Sequence, residues 1–271
     1  MPEILKLIIL GIIEGLTEFL PISSTGHLIV AAALLNFNGA LGGTFEIFIQ
    51  LGAILAVIVY FFGEFIQQCR SVRTDPQVRR LWTGLVIAFI PAGVIGFLFG
   101  NKMKELLFNP VVVAITLILG GIVFIMAERS NLAARARTHH EGDITPKQAL
   151  GVGLAQVLAL IPGVSRSGAS IVGGMFMGLD RTLATKFSFF LAVITLTPAT
   201  LYDLVKNINL IQSQDVVNLA VGTVVSGIVA WFSIRWLLRY VAANRFTAFG
   251  YYRIVAGVVI LLLAAAGVFS A

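Results

Sequence analysis

Apolar runs close to the length of a membrane span alternate with short polar segments along the whole chain. A helix needs about 20 apolar residues to cross the hydrocarbon core. These runs lack the strict apolar–polar alternation that is typical of barrel strands. Six of them predict transmembrane helices, at Phe45–Phe62, Leu81–Gly100, Pro110–Ala127, Thr182–Tyr202, Val216–Trp236 and Tyr251–Phe269. The pattern predicts an all-α polytopic membrane protein with about six transmembrane helices.

Two further apolar stretches are interrupted before they can span. The first break, Pro21–His27, reads PISSTGH and lies between the apolar residues Ile4–Leu20 and Leu28–Leu35. The second break, Pro162–Gly168, reads PGVSRSG and interrupts residues Gln148–Leu179. Non-helical backbone at membrane depth is tolerated only where it is buried in protein or lines a cavity. Each stretch is therefore predicted to be a re-entrant helix–loop–helix segment that enters and leaves on one side.

The order of these elements repeats, with one re-entrant segment and three spans in each half. Three crossings place the second half in the opposite orientation, so we predict an inverted-topology repeat, a plan associated with broken helices that meet near the midplane. Aligning Pro21 with Pro162 also aligns Ser24 with Ser165. We interpret residues 1–271 as one integral membrane domain, with halves at about 1–127 and 148–271 and a cytoplasmic linker at about 128–147.

Composition and charge agree with this class of protein. Hydrophobic residues make up 58% of the 271 residues and charged residues 12%, whereas about a quarter of a soluble domain is charged. The net charge of +6 is explained by basic cytoplasmic loops, so we expect no nucleic-acid partner. The single cysteine, Cys69, excludes an internal disulfide and a thiolate-based metal cluster.

The basic residues also predict the orientation. The positive-inside rule places the more basic set of loops in the cytoplasm. The opposite set carries Lys102, Lys104 and Lys206, with Lys6 near the start of the chain. The first re-entrant segment then enters from outside and the second from the cytoplasm. The cytoplasmic set comprises Arg70, Arg73, Arg79, Arg80, Arg129, Arg135, Arg137, Lys147, Arg181 and Arg245.

Two carboxylates and one guanidinium lie in or beside the breaks. Glu14 and Glu18 are four residues apart, which places both on one face of a helix. A carboxylate at membrane depth is costly unless it faces protein or water, which makes both functional candidates. Ser24 and Ser165 are predicted to be N-caps of the helices that follow the breaks. Helix N-termini bind anions, and with Arg166 beside them they favour phosphate or diphosphate.

A divalent cation reconciles the two carboxylates with a phosphate ligand. Glu14 and Glu18 would hold Mg²⁺ or Ca²⁺ together with substrate oxygens, which is the usual arrangement for hard cations. His27 lies within one helical turn of Ser24 and is a candidate general acid, general base or nucleophile.

Simpler structural roles compete with these assignments. The two acids can line water or pair helices, His27 can be a hydrogen-bonded buried histidine, and Arg166 can reach a lipid phosphate. Glu46 and Gln50, at helical spacing in the first predicted span, fit helix packing as well as they fit a site, so their roles stay open.

At these residues the chain resembles a known family. The segments EGLTEFLPISSTGH, at Glu14–His27, and PGVSRSG, at Pro162–Gly168, are similar to the two signature motifs of bacterial undecaprenyl-diphosphatase, the bacitracin-resistance membrane phosphatase. The segment FEIFIQLGAILAV, at Phe45–Val57, and the overall length resemble the same family. The likeness runs over essentially the whole chain, and long paired motifs are far more specific than one short pattern.

The resemblance implies a membrane enzyme that hydrolyses undecaprenyl diphosphate to undecaprenyl phosphate and inorganic phosphate. This reaction recycles the lipid carrier for peptidoglycan synthesis and confers bacitracin resistance. The resemblance also implies dependence on a divalent cation, the bacterial inner membrane, and a site that opens to the outer, periplasmic face. Carried onto this chain, the metal ligands are Glu14 and Glu18. The catalytic residues are Glu18, Ser24, His27 and Arg166, and the substrate contacts come from Ser23, Thr25, Gly26, Ser165, Arg166 and Ser167.

Two chemical routes and two classes of function fit these residues. Ser24 can attack phosphorus with help from His27, or a water activated by the metal and Glu18 can do so. A transporter or flippase of a phosphorylated lipid or small anion is the alternative function, because inverted repeats with broken helices are also a transporter plan. The apolar spans are compatible with a homodimer, although nothing in the sequence requires one.

Overall fold

The computed structural model describes residues 1–37, 44–207, 209 and 215–269. The longer regular elements within these ranges are α-helices, joined by three short 3₁₀ turns at Leu132–Arg135, Glu141–Asp143 and Leu158–Leu160. The α-helices are α1 Glu3–Thr17, α2 Ser24–Leu34, α3 Thr44–Tyr60, α4 Phe62–Ser71, α5 Pro76–Leu107, α6 Pro110–Arg129, α7 Pro146–Val157, α8 Arg166–Phe176, α9 Arg181–Asn207, α10 Asp215–Ala243 and α11 Thr247–Ala265.

Five helices in the described part of the chain are long and apolar enough to cross a membrane. A sixth span is added if α3 and α4, which meet at an angle of 66°, form one bent crossing. The prediction of an all-α polytopic membrane protein with about six transmembrane helices is confirmed. The five unbent spans are Pro76–Gly100, Pro110–Arg129, Arg181–Lys206, Val216–Ala243 and Thr247–Ala265.

Both predicted re-entrant segments consist of two short helices around a break. Helices α1 and α2 have 15 and 11 residues, and α7 and α8 have 12 and 11. None of the four reaches the length of about 20 residues that a crossing requires. Helix α1 packs on α10 and α7 packs on α5, while α3 contacts α9 and α6 contacts α11. The first re-entrant helix of each half thus packs on the second span of the other half, and the first and third spans pack on their counterparts. Such a pattern is expected when two halves are related by a two-fold axis.

Backbone conformation sets the register of the two breaks, and it corrects one expectation. Ser23 and Ser165 are the N-caps of α2 and α8, and both have a positive φ, of 71° and 75°. Ser24 was expected to be an N-cap; that prediction is wrong, because Ser24 is the first residue of α2 and corresponds to Arg166. The alignment of Ser24 with Ser165 is wrong by one residue. The reason is Gly163, whose φ of 89° adds one residue between the proline and the cap in the second break.

The core surrounds these breaks. Phe19, two residues before the first break, is fully buried and packs edge to face on Phe189, with ring centres 5.4 Å apart. Helix α1 approaches α10 closely through Gly15, where a Cβ atom would lie 2.5 Å from the carbonyl oxygen of Ser226. A larger residue at this position would push α1 away from α10 and displace the carboxylates that α1 carries.

Candidate active site

One carboxylate joins the two breaks. Glu18 is the C-cap of α1, and its side chain is 5% exposed. Its Oε2 accepts a hydrogen bond from Ser24 Oγ at 2.7 Å, and its Oε1 accepts one from Arg166 Nη2 at 3.2 Å. The first residue of α2 and the first residue of α8 therefore both bind Glu18. The structure brings together three of the predicted catalytic residues, although they come from opposite halves of the chain.

The guanidinium of Arg166 is fixed on several sides. Its Nη1 donates to the Ser188 carbonyl at 3.0 Å and to the Ser188 hydroxyl at 3.3 Å. Its Cζ lies 5.6 Å from the centre of the Phe19 ring. Its Nε is buried and has no hydrogen-bond partner among the described residues. Because a buried donor without a partner is costly, this N–H is available to an anion that enters the site.

Glu14 supplies an oxygen that suits a hard cation. It lies one turn before Glu18 on α1, is 2% exposed, and interacts electrostatically with Glu18, Glu46 and Arg166. Its Oε2 is buried without a hydrogen-bond partner in the described part of the chain. Magnesium is often bound through one or two carboxylates, with substrate phosphates and water as the other ligands. The residues therefore fit a divalent cation, with Glu14 Oε2 as the open ligand, because both oxygens of Glu18 are already hydrogen-bonded.

No group of three or more His, Cys, Asp or Glu side chains within the described ranges could hold a metal by itself.

The predicted substrate contacts differ in what they can reach. Ser24, Thr25 and His27 are partly exposed on the first turn of α2, whereas Ser23 and Gly26 are buried. Ser23, the N-cap residue of α2, makes no side-chain cap hydrogen bond. The N–H groups of this helix end are therefore open to an anion.

The side-chain hydroxyls of Ser165 and Ser167, in the second break, form hydrogen bonds with backbone groups instead. Ser165 Oγ accepts from the Gly168 N–H at 3.1 Å and lies 3.0 Å from Ser167 Oγ. Ser167 is fully buried, and its Oγ donates to the Leu20 carbonyl beside the first break at 3.0 Å. In this arrangement Ser167 ties the two breaks together rather than facing a substrate.

His27 is directed away from Ser24. Its Nδ1 lies 2.8 Å from the Ser23 carbonyl oxygen, and its Nε2 lies 2.6 Å from the hydroxyl of Tyr252. The partner of the Ser24 hydroxyl is Glu18. If Ser24 is the nucleophile, the geometry pairs it with Glu18 as the base, and not with His27.

Arg253 on α11 is a residue of the site that the sequence reasoning missed. It is fully buried, and its guanidinium donates to five carbonyl oxygens, those of Pro21, Thr116, Leu117, Gly163 and Val164. Pro21 belongs to the first break, and Gly163 and Val164 belong to the second. One side chain therefore holds both breaks. An arginine in an apolar span is costly, and that signal was present in the sequence.

The register of the breaks also pairs Glu14 with Gln156 of α7, since each lies at the same distance before its N-cap serine. Gln156 is 2% exposed, and both of its side-chain polar atoms are without hydrogen-bond partners in the described residues. The acid of the first half thus corresponds to a neutral amide in the second.

The sequence left the roles of Glu46 and Gln50 open. In the structure, Gln50 accepts a hydrogen bond from Thr200 Oγ1 at 3.3 Å.

The fold and this geometry define a class: a multi-pass membrane protein with a buried cluster of charged and hydroxyl side chains where two broken helical segments meet. A family model described as bacitracin resistance protein BacA matches residues 7–259, and the chain belongs to this family. This confirms the resemblance seen in the motifs.

Individual relatives agree. An undecaprenyl-diphosphatase of Albidiferax ferrireducens is 51% identical over 266 residues, covering 97% of this chain and 96% of the relative. Relatives with the same name from Acidovorax ebreus and Deinococcus radiodurans are each 50% identical over 264 residues. The first match covers 97% of this chain and 96% of the relative, and the second covers 96% and 95%.

Proposed function

We propose that this protein is an undecaprenyl-diphosphate phosphatase. It hydrolyses undecaprenyl diphosphate to undecaprenyl phosphate and inorganic phosphate, recycles the lipid carrier for peptidoglycan synthesis and confers bacitracin resistance. The observation that carries the proposal is the convergence of Ser24, Glu18 and Arg166 from opposite halves of the chain. Relatives named for this activity, about half identical over nearly the full chain, support the choice of substrate.

Binding of the diphosphate follows from the open donors. The unpartnered Nε of Arg166 and the N–H groups at the start of α2 would bind the diphosphate, and donors fixed before the reaction stabilise the charge that develops during phosphoryl transfer. Glu14, through its open Oε2, would be the first ligand of the divalent cation, Mg²⁺ or Ca²⁺, and Glu18, one turn further on, would be the second; the cation would neutralise charge on the phosphate oxygens. The isoprenoid stays among the apolar spans.

For the chemical step, Ser24 Oγ is the nucleophile that the geometry favours. Its proton passes to Glu18 Oε2, 2.7 Å away. The Oγ–phosphorus bond forms as the bond from the terminal phosphorus to the bridging oxygen breaks, which leaves undecaprenyl phosphate. Water then cleaves the phosphoserine and releases inorganic phosphate. The competing route has water attack directly, with Glu18 as base. Rapid quenching with a substrate labelled in the terminal phosphate separates the two, because only the first labels the protein.

The cellular setting is part of the proposal. The chain is a multi-pass membrane protein, and we infer the bacterial inner membrane and a site open to the periplasmic face from the unequal loop charges. Pairing of two copies stays a prediction.

Phosphate release from a long-chain polyprenyl diphosphate by the detergent-purified protein tests the proposal. We expect release with Mg²⁺ or Ca²⁺, loss with a chelator, and loss in Glu18→Ala and Arg166→Ala. Glu105→Ala and Arg239→Ala, which alter exposed residues of the same types, are the matched controls. Absence of release from folded protein with every metal would refute the phosphatase and favour a transporter, which should move substrate across sealed vesicles without releasing phosphate.

A further inference from the structure

The seam between α3 and α10 forms an apolar groove on the outside of the bundle, with a volume of about 440 Å³. Its floor is narrow because a Cβ atom on Gly52 would overlap the carbonyl oxygen of Thr223, so the two helices nearly touch there. The hydroxyl of Thr223 donates to the Leu219 carbonyl at 2.7 Å and is not offered to an occupant. The walls are large, exposed apolar side chains from both helices, namely Leu55, Val59, Val224 and Ile228.

The groove ends in aromatic and basic residues at the end of α10 that the loop charges assign to the cytoplasm. Trp231 and Phe232 line this end, and tryptophan is typical of the headgroup level of a membrane. From Thr223 to Arg235, α10 advances about 18 Å at 1.5 Å per residue. Half of a hydrocarbon core of about 30 Å is about 15 Å. The groove therefore extends from the headgroups to about the midplane, which is the depth that an acyl chain of one leaflet reaches.

Arg235 supplies an open cation at the headgroup end of the groove. It is exposed, its Cζ lies 5.6 Å from the centre of the Trp231 ring, and it has no carboxylate partner in the described part of the chain. A guanidinium fork matches phosphate oxygens, and the cytoplasmic leaflet carries anionic lipids. Charge and depth together match a phospholipid whose phosphate lies at Arg235.

The isoprenoid chain of the substrate fits this groove less well. Helix α1, which carries the catalytic carboxylates, packs on α10 where Gly15 approaches the Ser226 carbonyl. Ser226 is two residues from both Val224 and Ile228, or about 200° around the helix. The groove is therefore on the side of α10 away from α1.

A second copy of the chain also fits less well. A two-fold axis brings the same surface of both copies together, so pairing through the groove would bring the two Arg235 side chains towards each other. Like charges repel, whereas a lipid phosphate is attracted to the same guanidinium.

We propose that the groove between α3 and α10 binds an anionic phospholipid of the cytoplasmic leaflet, with one acyl chain between the helices and the phosphate at Arg235. This lipid site is separate from the diphosphate site and does not depend on the proposed phosphatase function.

Trp231 reports on the groove directly, because bromine on an acyl chain quenches tryptophan fluorescence only at close range. The protein has three tryptophans, so the full-length chain with Trp82→Phe and Trp236→Phe reports from Trp231 alone. It would be placed in phosphatidylcholine bilayers that contain increasing fractions of brominated phosphatidylglycerol or of brominated phosphatidylcholine. The attraction of one basic residue to anionic lipid corresponds to about a fivefold difference in binding. Half-maximal quenching should therefore need about fivefold less of the brominated phosphatidylglycerol.

Three variants in this background identify the contacts. Arg235→Gln should remove the difference between the two lipids. Val224→Phe, which fills the groove, should lower quenching by both. Arg80→Gln, on an exposed arginine of α5, is the matched control and should keep the preference.

Equal quenching by the two lipids before Arg235 is changed would overturn the proposal, and so would a preference that is undiminished in Arg235→Gln. Loss of quenching on addition of a polyprenyl diphosphate would assign the groove to the substrate instead. If neither lipid quenches Trp231, the proposal also fails, and dimers recovered by chemical cross-linking would then assign the groove to a second copy.

Discussion

Arg253 gives the sharpest test of how the site is assembled, and Arg253→Lys is the informative change. Lysine keeps the buried positive charge, so the desolvation cost of that charge is not relieved. It replaces a planar fork with a single ammonium group. An ammonium reaching from α11 cannot keep all the contacts that the guanidinium makes to Pro21 in one break and to Gly163 and Val164 in the other.

The magnitude follows from the contact lengths. Three of the five hydrogen bonds, those to the breaks, measure 2.9 to 3.1 Å, while those to Thr116 and Leu117 measure 3.4 Å. A hydrogen bond to a charged group contributes about 1.5–3 kcal/mol net. Losing two of the three strong ones lowers the free energy of unfolding by about 3 kcal/mol or more. At about 2–4 °C per kcal/mol, Tm should fall by roughly 6 °C or more.

Activity should fall further than stability alone explains. When the two breaks separate, Glu18 is drawn away from Arg166, and a misplacement of about 1 Å in an active site costs about 100-fold in rate. The assays are thermal unfolding in detergent and kcat/KM for phosphate release at a temperature where the variant is folded. Arg239→Lys, on an exposed arginine of α10, is the control. A folded Arg253→Lys protein with wild-type Tm and wild-type kcat/KM would refute the reasoning.

The remaining predictions concern single contacts in the site. Arg166→Lys removes the Nε–H and the fork, so phosphate-release assays should show kcat/KM lowered by about 100-fold; a change below twofold would exclude Arg166 from the charge-stabilising role. Ser24→Ala removes the proposed nucleophile, and rapid quenching should find no labelled protein and kcat reduced by about 1,000-fold or more; labelled protein in this variant would assign the nucleophile elsewhere. Glu14→Gln keeps the shape but removes the charge, so the Mg²⁺ concentration for half-maximal rate should rise about 10- to 100-fold; an unchanged requirement would leave Glu18 as the metal ligand.

Several features of the protein are readable from sequence because their causes are local. A span requires a continuous apolar run, so the five long helices and the bent α3–α4 pair are visible in the hydropathy pattern. The breaks are visible because proline, glycine and serine interrupt such runs. Glu14, Glu18 and Arg166 stand out because charge at membrane depth is costly wherever it occurs.

Other features depend on contacts between residues far apart in the chain. No local pattern shows that Ser24 binds Glu18 while His27 binds Tyr252, since helical spacing alone allows Ser24 and His27 to pair. The one-residue shift between the breaks comes from the backbone of Gly163, and proline alignment cannot detect it.

The sequence by itself therefore determined the class of protein, the approximate number of spans and the charged residues that are candidates for the site, because burial of charge and helix length are properties of each segment alone. The tertiary structure alone decided which carboxylate oxygen is open, which group is the partner of Ser24 and which side chain of α11 holds the breaks together. These depend on distances of about 3 Å between side chains and backbone from different helices, and such distances exist only once the two halves have packed on each other.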